Sequence, residues 1–224
     1  QFLNDIDEVK KEVDAEIEDY YELIGVRKIA LNKKLAKVID LSGRLRFQKR
    51  WAQTPRIPET SVLGHMLTVA IFGYFYSVKI NACEKRLQNN FFVALFHDLP
   101  EALTRDIISP VKYSVDELAD IIAEYEVSQI EDKIMPYIPD DMKKEFSYIL
   151  GLDENNVKDE FENKIIEDGK ITVVEDMQRY NQDRYNAIDG KALKQCDKLS
   201  AFIEASLSIS HGIKSKELIN GKKQ

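Results

Sequence analysis

The sequence predicts an all-α fold, and three observations carry that prediction. Apolar residues recur at helical spacing, as in Phe2, Ile6, Val9, Val13, Ile17, Tyr20 and Ile24. Glycine and proline are scarce, nine and six in 224 residues, while 44% of residues are hydrophobic and 32% charged, which suits a compact helix-rich protein. No set of alternating strand segments and no internal repeat stands out.

The elements follow in order. Gly25 ends the first helix, and a more basic one runs through Ile29, Leu35, Val38 and Ile39 to the Ser42-Gly43 break, so residues 1–41 read as an N-terminal helical hairpin extension. Its plainest use is packing or subunit contact. The main domain covers residues 42–211. Pro55 and Pro58 hold the chain extended, and Thr60 or Ser61 then caps a helix that reaches about Ile80. That helix is apolar on nearly every side and belongs in the middle of the bundle. A helix from about Arg86 to His97 ends before Pro100, Ser109-Pro110-Val111-Lys112 is a loop, and Val115 to Met135 forms a long helix. Residues 151–183, rich in Asp, Glu, Asn and Lys, read as a charged insertion. The last helix, from Ile188 to about His211, aligns Leu193, Asp197, Ala201 and Glu204 on one face, and residues 212–224 form a C-terminal tail.

A net charge of −7 argues against wrapping a nucleic-acid polymer or adhering to an anionic membrane, since either calls for a basic surplus. A small anionic substrate held by one local cation is compatible with it. Cys83 and Cys196 form no paired framework and no Cys-x-x-Cys spacing, which points to reduced thiols and a cytoplasmic setting. The apolar stretches from Val69 to Val78 and Phe91 to Phe96 are shorter than the roughly 18 residues of a membrane span. No secretory leader is recognisable from Gln1 onward.

A titratable group inside an apolar helix costs several kcal/mol unless it is paired or bound to a metal. His65, the His97-Asp98 pair and Asp197 all face that cost. Each alone has an ordinary explanation: a core histidine bonded to backbone, a helix-end pair, a carboxylate in an ion pair. Together they make a coherent metal site. Two imidazoles and two carboxylates suit one divalent cation such as Mn, Co, Fe or Zn. Such an ion acidifies water and polarises a phosphoryl oxygen, so hydrolysis is the natural chemistry.

The order His65, His97-Asp98, Asp197 resembles the metal-binding signature of the HD-domain phosphohydrolases. More closely, Arg50-Trp51, the fourteen-residue step from Trp51 to His65, the run Phe96 to Asp106 and Ser109-Pro110-Val111-Lys112 resemble the 5'-deoxynucleotidase branch, as does Lys194 to Leu199. The resemblance implies an HD-domain helical bundle in which His65, His97, Asp98 and Asp197 ligate the metal. It implies that Arg50 holds the substrate phosphate through its planar donor fork and that Trp51 walls the sugar against a 2'-hydroxyl. Glu101 would orient the attacking water or shuttle protons, and Asp106 would bind the sugar or assist the leaving oxygen. Asp106, Ile107, Ile108 and Ser109 match the substrate-contacting loop. The substrate implied is a deoxyribonucleoside 5'-monophosphate, and the extra N-terminal hairpin or the 151–183 segment would either cover the pocket or build a homodimer.

Two positions depart from the branch. Gly64 stands where its members often carry Glu, leaving Glu59 as a candidate replacement, and Arg105 stands where they tend to carry glycine. Other HD hydrolases fit less well, because Glu101-Ala102 replaces the Glu-Asp of guanosine-tetraphosphate hydrolases and the Gly-Tyr-Pro element of the cyclic-dinucleotide branch is absent. A non-catalytic nucleotide-sensing or scaffolding module is the reading of a different class.

Overall fold

The computed structural model describes residues 8–13, 34–104, 116–152 and 161–221. Residues 8–13 are helical, and the remainder of the expected hairpin up to residue 33 lies outside the described residues. From there the described chain forms α1 (Lys34–Arg44), α2 (Val62–Lys79), α3 (Glu84–Phe96), α4 (Glu101–Thr104), α5 (Asp116–Lys133) and α6 (Asp140–Ile149). Three strands follow, β1 (Asn163–Glu167), β2 (Lys170–Val173) and β3 (Ile188–Asp189), and then α7 (Gly190–Ser210) and α8 (Lys216–Gly221).

The helical prediction holds for the framework. Ser61, in extended backbone, is the cap of α2: its hydroxyl accepts from the Gly64 N–H at 3.1 Å. α2 packs along α3, and α7 lies across both. One core joins α1, α2, α5 and α6 through Val38, Met66, Ile130 and Phe146, and a second joins α2, α3 and α7 through Val69, Val93, Ala94 and Leu193. The expectation that α2 is covered all round needs correction. Leu67, Ile71, Tyr74, Phe75 and Val78 stay exposed, as do Leu199, Phe202, Ile203 and Leu207 on α7. Counted as a helix, α2 is also long and apolar enough to cross a membrane by length and composition. Here its other face carries the fully buried His65 and packs on α3 and α7.

The sheet was not expected from the sequence. β1 pairs antiparallel with β2 and with β3, in the order β2-β1-β3. The hairpin turn is Asp168-Gly169, both with positive φ, 50° and 77°, which is the backbone that a tight two-residue turn requires. Ile165 and Ile166 on one side and Ile171 on the other flank that Asp-Gly, a hairpin signal masked by the charged composition around it. The last long helix therefore begins at Gly190, after β3, rather than at Ile188.

A buried polar network clamps this junction. Arg86 of α3 donates from Nε and Nη2 to the two carboxylate oxygens of Asp189 at 2.7 and 2.5 Å. Asn90 donates to Asp189 at 2.7 Å and accepts from its backbone N–H at 2.9 Å. The bidentate pair and its satisfied neighbours fix the point where strand turns into helix.

Candidate metal centre

Three helices supply the site. His65 lies one turn inside α2, His97 and Asp98 follow directly on α3, and Asp197 lies two turns along α7. Ligand atoms of His65, His97 and Asp98 all fall within 4.8 Å of one another. Asp197 Oδ1 joins them, 2.9 Å from His65 Nε2 and 4.0 Å from His97 Nε2. Three segments far apart in sequence thus bring four residues to one point.

The hydrogen bonds around the rings decide which nitrogens are available. The Ala94 carbonyl can only accept, so the 2.7 Å contact puts a proton on His97 Nδ1 and, in the neutral ring, leaves the lone pair on Nε2. That Nε2 is buried and has no hydrogen-bond partner among the described residues; Asp98 Oδ2 lies 3.2 Å away, off the hydrogen-bond axis. His65 repeats the pattern, with Nδ1 facing Glu204 Oε1 at 3.2 Å and the Ser200 hydroxyl at 3.1 Å. Both Nε2 atoms point at carboxylates: His65 Nε2 shares a 2.9 Å hydrogen bond with Asp197 Oδ1, and His97 Nε2 lies 3.2 Å from Asp98 Oδ2. A cation satisfies this arrangement, and a second ring nitrogen tied to a carbonyl or carboxylate is the usual support of a metal-binding histidine. The 2.9 and 3.2 Å separations match the edge of about 3.0 Å between neighbouring ligands bound at about 2.1 Å. The residues present therefore fit a divalent ion.

Charge is balanced around the cluster. Burial pushes the Asp98 carboxyl up, but His97, Arg50 and His65 outweigh it and hold it well below the usual range. Burial likewise raises Asp197, while His65 and His97 bring it below its ordinary value. Burial lowers Arg50, and Asp98, Glu204 and Asp197 more than reverse this, so the guanidinium stays charged.

The loop before α2 brings in the substrate candidates. Arg50 N–H donates to the Thr60 carbonyl and Val62 N–H to the Gln48 carbonyl, both at 2.9 Å, zipping residues 48–50 against the start of α2. Arg50 Nη1 then reaches Asp98 Oδ2 at 3.4 Å, and its buried Nε is 3.9 Å from Glu204 Oε2. Trp51 adopts φ 57°, a left-handed conformation that costs a bulky residue about 1–3 kcal/mol. Its indole N–H donates to Glu204 Oε2 at 2.9 Å. Glu101 opens α4, where its N–H donates to the Asp98 carbonyl at 3.1 Å and its charge acts on Arg50. Asp106, Ile107, Ile108 and Ser109, together with Arg105, lie outside the described residues.

Two residues that sequence reasoning left unassigned belong here. Glu204 bonds His65, Trp51 and, at 3.0 Å, Arg56 Nη1. Arg56 is buried and also donates to the Pro58 carbonyl and the Thr60 hydroxyl at 3.1 and 2.7 Å. Burial raises the Glu204 carboxyl, but His65, Arg50 and Trp51 outweigh it and bring it to about 2. The available signal was the shared face of α7, on which Glu204 falls two turns after Asp197. Glu59 does not reach the site, since it forms an exposed ion pair with Lys49 at 2.7 Å. At Gly64 a Cβ would stand 3.2 Å from the Ser61 cap hydroxyl, so the helix start itself crowds that position.

The profile of the HD domain family matches residues 42–224, which takes in every ligand of the cluster. The chain belongs to the HD domain family. Among curated HD relatives, a 5'-deoxynucleotidase of Cronobacter sakazakii is 27% identical over 116 residues, 48% of this chain and 55% of that protein. A 5'-deoxynucleotidase of Klebsiella pneumoniae is 26% identical over 123 residues, 53% of this chain and 59% of its own length. The chain thus spans little more than half of these relatives. Among solved structures, an HD-domain phosphohydrolase of Listeria innocua aligns with TM-score 0.58 and 21% identity over 84% of this chain and 75% of that one. A protein of Pyrococcus horikoshii aligns with TM-score 0.51 and 18% identity over 84% and 85% of the two chains. At such identities these likenesses establish the common HD fold.

The HD cluster makes metal binding pH-dependent. Burial alone would lower His97, but Asp98 and Asp197 outweigh it and raise it from 6.5 to about 9. Ligation needs the neutral ring, so below about 9 each bound ion displaces a proton. Apparent affinity should therefore rise about tenfold per pH unit from 6.5 and level off near 9, as competition with a chelating dye would record. In chelator-treated protein the raised value works the other way. The stability it contributes is complete below 6.5 and is lost as the pH climbs through about 9.

Proposed function

We infer that this HD domain is a metal-dependent phosphohydrolase that releases phosphate from deoxyribonucleoside 5'-monophosphates. The observation that carries the reading is Arg50, a buried guanidinium 3.4 Å from Asp98 in the ligand cluster. A planar donor fork next to a metal centre is suited to a phosphate dianion. The 5'-deoxynucleotidases among the relatives support the substrate class.

A divalent cation held by His65, His97, Asp98 and Asp197 would supply Lewis acidity toward a phosphoryl oxygen and would acidify water. The protein's own groups do the rest. Arg50 binds and orients the phosphate, and Trp51 walls the sugar. Glu101, one turn beyond His97, orients water or carries a proton, and Asp106 serves the sugar or the leaving oxygen.

The test is a phosphate-release screen of metal-loaded protein against ribo- and deoxyribonucleoside 5'-monophosphates. Release that favours deoxynucleotides is the expected result. Turnover only of cyclic or polyphosphorylated nucleotides would move the reading to another HD hydrolase, and no release from any nucleotide would end it. A homodimer belongs to the same proposal, supported by the large apolar side chains that α2 and α7 leave exposed. Sedimentation of a Phe75→Lys variant as a monomer, against a dimeric parent, is the outcome expected.

A further inference from the structure

Glu204 joins the two halves of the site. Its Oε1 is 3.2 Å from His65 Nδ1, behind the ligand nitrogen, and its Oε2 accepts the Trp51 indole N–H at 2.9 Å. The same Oε2 accepts from Arg56 Nη1 at 3.0 Å. Arg56 in turn is tied to Pro58, Thr60 and Ser208, so the carboxylate is anchored from the loop and from α7 at once. Ser200, one turn before Glu204, adds a hydroxyl 3.1 Å from His65 Nδ1.

An ordinary buried ion pair with Arg56 would leave the second oxygen unconstrained. Here that oxygen faces the imidazole. Trp51 also stands in a left-handed backbone conformation at φ 57°, which its surroundings must hold in place. The Thr54 N–H, donating to the Trp51 carbonyl at 2.7 Å, holds the backbone, and the indole bond to Glu204 holds the ring.

We propose that Glu204 is a positioning residue that couples metal occupancy at His65 to the setting of the Trp51 wall. This rests on the metal-site reading of the cluster. A cation on His65 Nε2 strengthens the Nδ1–H donor toward Glu204, and the shared carboxylate passes that change to the indole. Substrate fit at the sugar wall would then depend on whether the metal is in place.

The chain contains a single tryptophan, so its emission reports on Trp51 alone. Zinc is the probe, because its closed shell adds no redox chemistry. Wild-type protein is titrated with zinc by calorimetry, by elemental analysis and by tryptophan emission. The emission change should saturate at the stoichiometry and midpoint found by calorimetry. Glu204→Gln keeps the shape, but an amide accepts through one oxygen only, so either the His65 or the Trp51 contact is lost. It should bind zinc about 10–100-fold more weakly and lose the emission response.

Wild-type emission that ignores bound zinc would overturn the proposal, as would a folded Glu204→Gln with unchanged zinc affinity and response. A protein that takes up no zinc, manganese or cobalt by elemental analysis would instead remove the metal reading, and the coupling with it. Where Glu204→Gln fails to fold, Trp51→Phe decides by calorimetry, since it keeps the Glu204–Arg56 pair and removes only the indole donor. A several-fold change in zinc affinity is expected there, and an unchanged value would refute the coupling.

Discussion

His97→Ala is expected to leave the folded protein without bound metal and to lower phosphate release on the order of a thousandfold, the size of several kcal/mol of lost charge stabilisation. The reasoning starts from the ring itself. Its Nδ1 proton is committed to the Ala94 carbonyl, and its Nε2 is buried with no hydrogen-bond partner among the described residues. An unpaired buried nitrogen is unfavourable unless something fills the place it faces. Removing the ring also removes the counter-charge that holds Asp98 and Asp197 down, so two carboxylates would be left to repel one another. Elemental analysis and a thermal melt separate the two effects. Full metal content in the variant would contradict the assignment of His97 as a ligand.

Gly190→Ala is the second large effect, and it acts through the backbone. A Cβ at residue 190 would lie 2.1 Å from the Phe161 carbonyl carbon and 2.3 Å from the carbonyl oxygens of Phe161 and Glu162. Neither chain can yield cheaply, because Asn163 pairs with Asp189 in the sheet and Asp189 is clamped by Arg86 and Asn90. Gly→Ala normally gains about 0.4–1 kcal/mol from the unfolded chain. The clash should exceed that gain and cost about 3–5 kcal/mol, at the upper end of single-substitution effects. Denaturant unfolding would measure it, and a wild-type midpoint would show that the Phe161 segment gives way freely.

The candidate cluster was legible because each member is a costly polar residue in or next to an apolar helix. His65 among Val62, Met66 and Val69 has no cheap explanation alone, and four such residues invite a common one. Glu204 is the one charged residue from Leu199 to Ser210, but what it serves is set by its partners Trp51 and Arg56, which come from a loop whose path depends on backbone pairing between residues 48–50 and 60–62. Sequence periodicity carries no information about that pairing. The sheet escaped for a different reason. β1 and β2 are short and carry lysines and glutamates, so composition outweighed the Asp168-Gly169 turn that defines them.

The Asp189 clamp also sets an angle. A helix turns about 100° per residue, so where α7 begins to wind determines the compass direction of every side chain after it. Inserting or deleting one residue between Asp189 and Asp197 would swing Asp197 and Glu204 together by about 100°, away from His65, with the hydrophobic composition of the helix hardly altered. The same change after Glu204 would leave both in place. The small sheet, which carries none of the candidate ligands, therefore works as an indexing pin for the helix that brings Asp197 to His65.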